Sequence, residues 1–156
     1  MDVFLDSDGC AMDFNAHVFN HCGKSPNSLG DDALWSLVIS IPDFWLSMPL
    51  MDGYEQVYAA TKRFNPSFLT GCPRTDYDRA AKHKVIKLNK HYPGVPVITC
   101  LSRDKTLHMT NPGDVLIDDR GYICKKWEKA GGTAIRFKSP EQAVQDFLKI
   151  IAERDL

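Results

Sequence analysis

Two aspartates two residues apart, Asp6 and Asp8, stand in the opening Met-Asp-Val-Phe-Leu-Asp-Ser-Asp-Gly of this chain. Carboxylates held that close repel each other unless a cation lies between them or one keeps its proton. Either arrangement is chemically useful. A carboxylate beside a metal ion can act as a nucleophile, and a neighbouring carboxylic acid can give up its proton. The plain alternative is an acidic turn in which Gly9 supplies a positive φ. Further candidates follow at intervals: Thr70 in Phe-Leu-Thr-Gly-Cys-Pro, Lys105 in Ser-Arg-Asp-Lys, and the pair Asp118-Asp119 before Arg120.

The elements that must position these residues alternate. Asp2 to Leu5 reads as a buried strand, Gly53 to Phe64 as a helix with Tyr54, Val57, Tyr58 and Thr61 on one side, and Ser67 to Thr70 as a short strand. A helix is expected from about Thr75 to His91, with Asp76 and Asp78 suited to its electropositive start. Val95 to Leu101 reads as a strand, with Pro96 acceptable near its start. Val115 to Ile117 reads as another, running into Asp118-Asp119. A short turn or helix over Gly121 to Ala130 and a strand from Thr133 to Phe137 follow. Ser139 and Pro140 then supply the N-cap and first position of a last helix, with the apolar stripe Ala143, Val144, Phe147, Leu148 and Ile151. Short strands alternating with helices imply an α/β fold with a parallel sheet and right-handed crossovers. In such a sheet the carboxyl ends of the strands share one edge, where ligands bind. Asp6, Asp8, Thr70, Lys105 and Asp118 would all meet there. A stability account leaves those acids crowded and unpaired, whereas one Mg²⁺ with oxygen ligands resolves the crowding.

The segment between the first two strands is too long and too aromatic for a plain crossover. It carries Phe14, Phe19, Trp35, Phe44 and Trp45 among Pro, Gly, Asn and Asp. We read residues 15–52 as a cap inserted into a single domain of residues 1–156. Trp35 is expected to pack the cap's own core, while Phe14, close behind the acidic turn, is as well placed to face the site.

Composition narrows the classes. The chain has 156 residues, 44% hydrophobic and 25% charged, with a formal net charge of −1. That is ordinary for a globular domain and gives no electrostatic footprint for duplex nucleic acid. There is no basic segment followed by an apolar one at the N-terminus, so no signal peptide is read. The most apolar stretch, Ala33 to Leu46, is interrupted and shorter than the roughly 20 residues that span a bilayer. The cysteines, Cys10, Cys22, Cys72, Cys100 and Cys124, are odd in number, scattered and without a C-x-x-C motif. They point to a reducing cytoplasm rather than to a disulfide framework or a zinc site. Cys100 reads as a buried structural thiol, and Cys10 and Cys72 as oxidation-sensitive bystanders of the site.

The order Asp-x-Asp-Gly, Thr, Lys, Asp-Asp, each closing a strand, resembles the haloacid dehalogenase superfamily of phosphotransferases. More closely, the chain is similar to the 5′(3′)-deoxyribonucleotidases. The likeness covers Asp-Ser-Asp-Gly-Cys-Ala-Met-Asp-Phe at the start, Phe44-Trp45-Leu46 to Gly53, Thr70-Gly-Cys-Pro, and Arg103-Asp-Lys-Thr through Leu-Ile-Asp-Asp-Arg120. The resemblance implies a three-layer Rossmann-like sheet with a small helical cap after the first strand. It implies that Asp6 attacks phosphorus and becomes a phosphoaspartate. Asp8 protonates the leaving oxygen, then activates the water that cleaves the intermediate. The implied ligands of Mg²⁺ are Asp6, the backbone carbonyl of Asp8, and Asp118, with Asp119 supporting them from behind. Thr70 and the Gly71 amide would hold phosphoryl oxygens, Lys105 would neutralise the phosphate, and Phe14 and Arg103 would face the nucleoside. Gly71 departs from the pattern, since the relatives usually carry Ser there.

Each candidate has a plainer reading. Lys105 could be a surface lysine and Asp118-Asp119 a helix cap, but their places at strand ends favour the site. Asp13 and Arg74 are suggestive only, Asp114 reads as a turn residue, and the five histidines have no ligand spacing. The favoured substrate is a nucleoside monophosphate, with a sugar phosphate or other small phosphoester as the alternative. A phospho-accepting signalling receiver also uses acids, Thr, Lys and Mg²⁺, but lacks an acid two residues past the phosphorylated one. A second subunit is a candidate to complete the cap, as in a homodimer.

Overall fold

The computed structural model describes all residues from Met1 to Leu156. Five strands, β1 (Val3–Leu5), β2 (Ser67–Gly71), β3 (Val97–Cys100), β4 (Val115–Asp118) and β5 (Thr133–Arg136), form one sheet in the order β3-β2-β1-β4-β5. All its pairs are parallel. β1 lies in the middle, with Leu5 opposite Phe68 on one side and Ile117 on the other. The strand reversal at β1 makes this edge a topological switch point.

Seven helices complete the chain: α1 (Phe14–Cys22), α2 (Asp31–Ser40), α3 (Phe44–Ser47), α4 (Tyr54–Thr61), α5 (Tyr77–His91), α6 (Gly121–Lys129) and α7 (Pro140–Glu153). Alternation along the strands splits the core in two. Val3, Leu5, Phe68, Val115 and Ile117 pack with Tyr54, Ala80, Leu88 and Phe147. Phe4, Leu69 and Leu116 pack with Ile123 and Trp127 on the other face. The sheet therefore lies between helical layers, as expected.

The segment after β1 is helical, comprising α1, α2 and α3. Its two ends run side by side: Asp13 N–H donates to Pro49 O at 2.8 Å, and Met51 N–H to Ala11 O at 2.9 Å. Asp13 has a local task, its carboxylate accepting from Ala16 N–H at 3.0 Å as the N-cap of α1. Asp114 is a turn residue that also ties down the N-terminus, accepting from the N–H groups of Thr110 and Asn111 and of Asp2.

Some boundaries shift. The expected helix at Gly53 to Phe64 ends as α at Thr61 and continues as a 3₁₀ turn, and the stretch Gly121 to Lys129 is a true helix. On α7 the buried face is Ala143, Phe147 and Ile151, while Leu148 is 53% exposed, because a stripe one residue wide at each turn already covers the sheet. No helix is long and apolar enough to cross a membrane. All five cysteines are free.

Ser139 begins α7 with a capping box: Gln142 N–H donates to its Oγ at 3.2 Å, and Ser139 N–H donates back to Gln142 Oε1 at 3.4 Å. Ser139→Ala should cost about 1 kcal/mol, read as a thermal midpoint a few degrees lower with the site unaltered.

Candidate active site

The sheet edge gathers the acids of two segments, the ends of β1 and β4. Asp6 follows β1, and its N–H donates to Ile117 O at 2.9 Å. Beyond it the chain turns sharply, Ser7 O accepting from Cys10 N–H at 3.1 Å and Met12 N–H at 2.8 Å. Gly9 makes the turn feasible twice over: its φ is +78°, and a Cβ there would fall 2.3 Å from Asp119 Oδ2.

Lys105, 3% exposed, sits between two of the carboxylates. Its Nζ donates to Asp6 Oδ1 at 2.7 Å and to Asp118 Oδ2 at 2.6 Å. Burial works against its ammonium, but the charges of Asp6 and Asp118 outweigh burial and raise its pKa. Asp118 Oδ1 accepts from Arg120 N–H at 2.9 Å. Asp119 is different: its Oδ1 is buried with no hydrogen-bond partner. Burial first, then the charge of Asp6, raises Asp118 to about 6 and Asp119 to about 7.

Asp8 takes a separate cation. Lys84, 4% exposed on α5, donates to Asp8 Oδ2 at 2.5 Å, to Gly71 O at 2.6 Å and to Thr70 Oγ1 at 3.3 Å. These contacts use all three of its N–H donors. The indole ring of Trp45 covers it, with Nζ 4.5 Å from the ring centroid. Thr70, wholly buried, also shares a 2.6 Å hydrogen bond with Ser7 Oγ. The sequence reading missed Lys84. Its signal was legible: Ala80, Lys84 and Leu88 recur at helical spacing, so a lysine stands on the buried stripe of α5.

Two chambers meet at this edge. The inner one is lined by Asp6, Asp8, Gly71, Ser102, Lys105 and Arg120. The outer, about 80 Å³, adds Phe14, Trp35, Trp45 and Asp119. Phe14 stacks on Trp45 with ring centroids 6.5 Å apart. The outer chamber continues past Phe14, Trp35, Asp119 and Arg120 into a groove of about 700 Å³. Trp35, expected to pack inside the cap, is partly buried against the core and also lines both spaces, because α2 buries only Val38 fully and leaves part of the indole at its edge. Ser102 explains Gly71: a Cβ at residue 71 would lie 2.1 Å from Ser102 Oγ, so this hydroxyl occupies the space a side chain there would need. Arg103 is not brought to the chambers; its side chain is 60% exposed, with Nε 3.8 Å from Asp104 Oδ1. Cys10 and Cys72 are buried, and burial pushes both thiols up, which disfavours the reactive thiolate.

The acids fit a hard divalent cation. Four carboxylates, Asp6, Asp8, Asp118 and Asp119, face the buried lysines Lys84 and Lys105 and the guanidinium of Arg120, which lines both chambers, so the acids still outnumber the cations. Ligand atoms of Asp6, Cys10 and Asp119 lie within 4.8 Å of one another. Of these, the carboxylates suit Mg²⁺ and the protonated thiol does not. The orphaned Asp119 oxygen is the group that most lacks a partner. Beside the expected set, the structure leaves the unpartnered oxygen on Asp119 and ties Asp118 to Lys105.

No known family profile matches the chain, and no curated protein matches it in sequence. Its structure is similar to that of a Had-superfamily hydrolase from Ehrlichia chaffeensis, with a TM-score of 0.55 and 14% identity over 96% of this chain and 97% of that one. The fold is haloacid dehalogenase-like. At that identity the likeness speaks for the fold.

The raised carboxyls set a pH dependence. The fold favours their neutral forms, so their contribution to stability is intact at low pH and is lost as pH rises from the ordinary carboxylate range through about 6 and about 7. Without divalent ions, the thermal midpoint of the wild type should fall more between pH about 5 and about 8 than that of Asp119→Asn. Mg²⁺ should raise the wild-type midpoint at the upper end more than the variant's. Parallel profiles for the two proteins would refute this account of Asp119.

Proposed function

We propose that this chain is a Mg²⁺-dependent phosphomonoester hydrolase that works through a phosphoaspartate on Asp6 and takes a nucleoside monophosphate, with deoxynucleotides the leading class. The observation that carries this reading is that Asp6 and Asp8, two residues apart, engage different buried lysines at the switch point of the sheet. One acid lies against Lys105 where charge must be neutralised. The other is held by Lys84 beside the aromatic chamber, where a leaving group would lie.

Phosphomonoester hydrolysis needs accelerations of up to about 10²¹-fold. A carboxylate oxygen of Asp6 bonds to phosphorus as the ester P–O bond breaks, and Asp8, which enters this step carrying a proton rather than ion-paired with Lys84, gives it to the departing oxygen. Asp8 then takes a proton from water, whose oxygen bonds to phosphorus. The acyl phosphate P–O bond breaks, returning Asp6 as a carboxylate and releasing phosphate. Splitting one hard displacement into two eases each. Lys105 and the Gly71 amide would meet charge on the phosphoryl oxygens, with Thr70 bracing Lys84 and Ser7 behind them. Mg²⁺, held by Asp6 and Asp119 with Asp118 alongside, would supply further charge neutralisation when bound.

The substrate class is argued from the lining. Phe14 and Trp35, with buried Trp45 stacked behind Phe14, suit the flat face of a base, and base–aromatic stacking is worth about 1–3 kcal/mol. A sugar phosphate offers no flat π face to stack on them. The inner chamber admits only the phosphoryl end, and the outer chamber and groove extend away from it.

Phosphate release should be measured across nucleoside and sugar monophosphates, with Mg²⁺ and with EDTA. Nucleotides should lead, EDTA should abolish turnover, and Asp6→Asn should lose on the order of a thousandfold or more in kcat. Faster turnover of sugar phosphates than of every nucleotide would reject the substrate class. A long-lived phosphoprotein without turnover would favour the receiver reading. Phe14→Ala should raise KM for thymidine monophosphate by about tenfold, and raise it less for acetyl phosphate. Equal effects would mean that Phe14 only packs.

A further inference from the structure

Helix α2 ends weakly on its own. Ile41 follows it with φ −103° and ψ 106° rather than a left-handed glycine, its N–H reaches Val38 O only at 3.4 Å, and the local donors are otherwise Ser40 Oγ to Leu37 O at 2.7 Å and Phe44 N–H to Ile41 O at 3.2 Å. Arg79, on α5, adds stronger donors from outside. Its Nη2 donates to Val38 O at 3.0 Å, and its Nη1 to Ile41 O at 2.9 Å and Pro42 O at 3.2 Å. The other edge of the guanidinium holds Asp76: Nε lies 3.0 Å from Oδ1 and 2.9 Å from Oδ2, and Nη2 lies 2.7 Å from Oδ2. All five N–H groups thus have acceptors.

Asp76 passes the connection on. Its Oδ2 accepts from Trp45 Nε1 at 3.3 Å. Trp45 covers Lys84 and stacks with Phe14. A second strut lies nearby, Lys87 Nζ donating to Leu46 O at 2.8 Å. The clamp matters because α2 has little else to hold it: Val38 is its only buried residue, with Leu34, Trp35 and Leu37 partly covered. Trp35 on α2 and Trp45 after it are the two indoles of the outer chamber.

We propose that Arg79 is the latch of the helical insert: a positioning residue that, through Asp76, fixes α2 and Trp45 against α5 and so sets the shape of the chamber for the leaving group. This rests on the reading above that an aromatic leaving group lies there. Arg79 touches neither phosphate nor nucleophile. It acts on substrates large enough to reach Trp35 and Trp45, and not on small phosphoesters. Lysine cannot replace it, because one ammonium cannot bind a carboxylate side-on and three carbonyls at once.

The test pairs kinetics with hydrogen exchange on the full chain. In Arg79→Ala, amides of residues 34–41 should exchange about tenfold faster or more, with β1 and β4 unchanged. KM for thymidine monophosphate should rise by about tenfold, while kcat and KM for acetyl phosphate stay at wild-type values. Arg79→Lys should show the same pattern at smaller amplitude, and it carries the test if the alanine variant does not fold. Wild-type protection of α2 in both variants, or equal KM rises for both substrates, would overturn the latch. If the wild type hydrolyses neither substrate, the proposed function falls, and the exchange of α2 alone decides whether the latch exists.

Discussion

Lys105 is the residue on which the arrangement of the sheet edge depends. Carboxylates from β1 and β4 converge on one buried ammonium, with no water-exposed surface to dilute their repulsion. Removing one partner from a buried ion pair costs about 3–5 kcal/mol, because the other charge is left uncompensated. Burial first, and then the charge of Asp6, raises the pKa values of Asp118 and Asp119 within this cluster. A fold selected for stability alone would have replaced these acids with apolar residues. Their retention at the switch point agrees with a site prepared for a cation and an anionic ligand.

Helix α5 is the second organising part. Its apolar face, Ala80 and Leu88, packs into the core, and Lys84 interrupts that face where Asp8 needs a partner. Arg79 and Lys87 reach the insert instead, gripping backbone carbonyls on either side of Trp45. One helix thus carries three cations with three tasks. The chamber between insert and sheet is shaped both by these polar contacts and by the buried apolar side chains of Val18, Val38, Phe44 and Met48.

The differences from the sequence reading have specific causes. Leu148 belongs to the apolar pattern of α7, yet points to solvent because the helix meets the sheet along a narrower stripe. Trp35 packs against the core as its apolar neighbours suggest, but α2 lies too shallow to bury it fully, so it also lines the chamber. Arg103 sits beside Lys105 in sequence, and the 3₁₀ turn of Ser102–His108 sends the two side chains to different places. Gly71 looked like a lost hydroxyl, whereas Ser102 Oγ occupies that space from the next strand's end.

The alternation of apolar runs and turn residues was enough to determine the parallel α/β sheet, because strand and helix periods are local properties of the chain. The placing of Asp6, Asp8, Thr70, Lys105 and Asp118 at strand ends was legible for the same reason: a parallel sheet brings all its carboxyl ends to one edge. Which cation meets which acid was not legible. Lys84 pairs with a residue 76 positions away, and Arg79 with carbonyls about forty positions away. Such pairings are decided by how a helix rotates against a sheet and an insert, and by the cost of leaving a buried charge alone, neither of which has a local pattern.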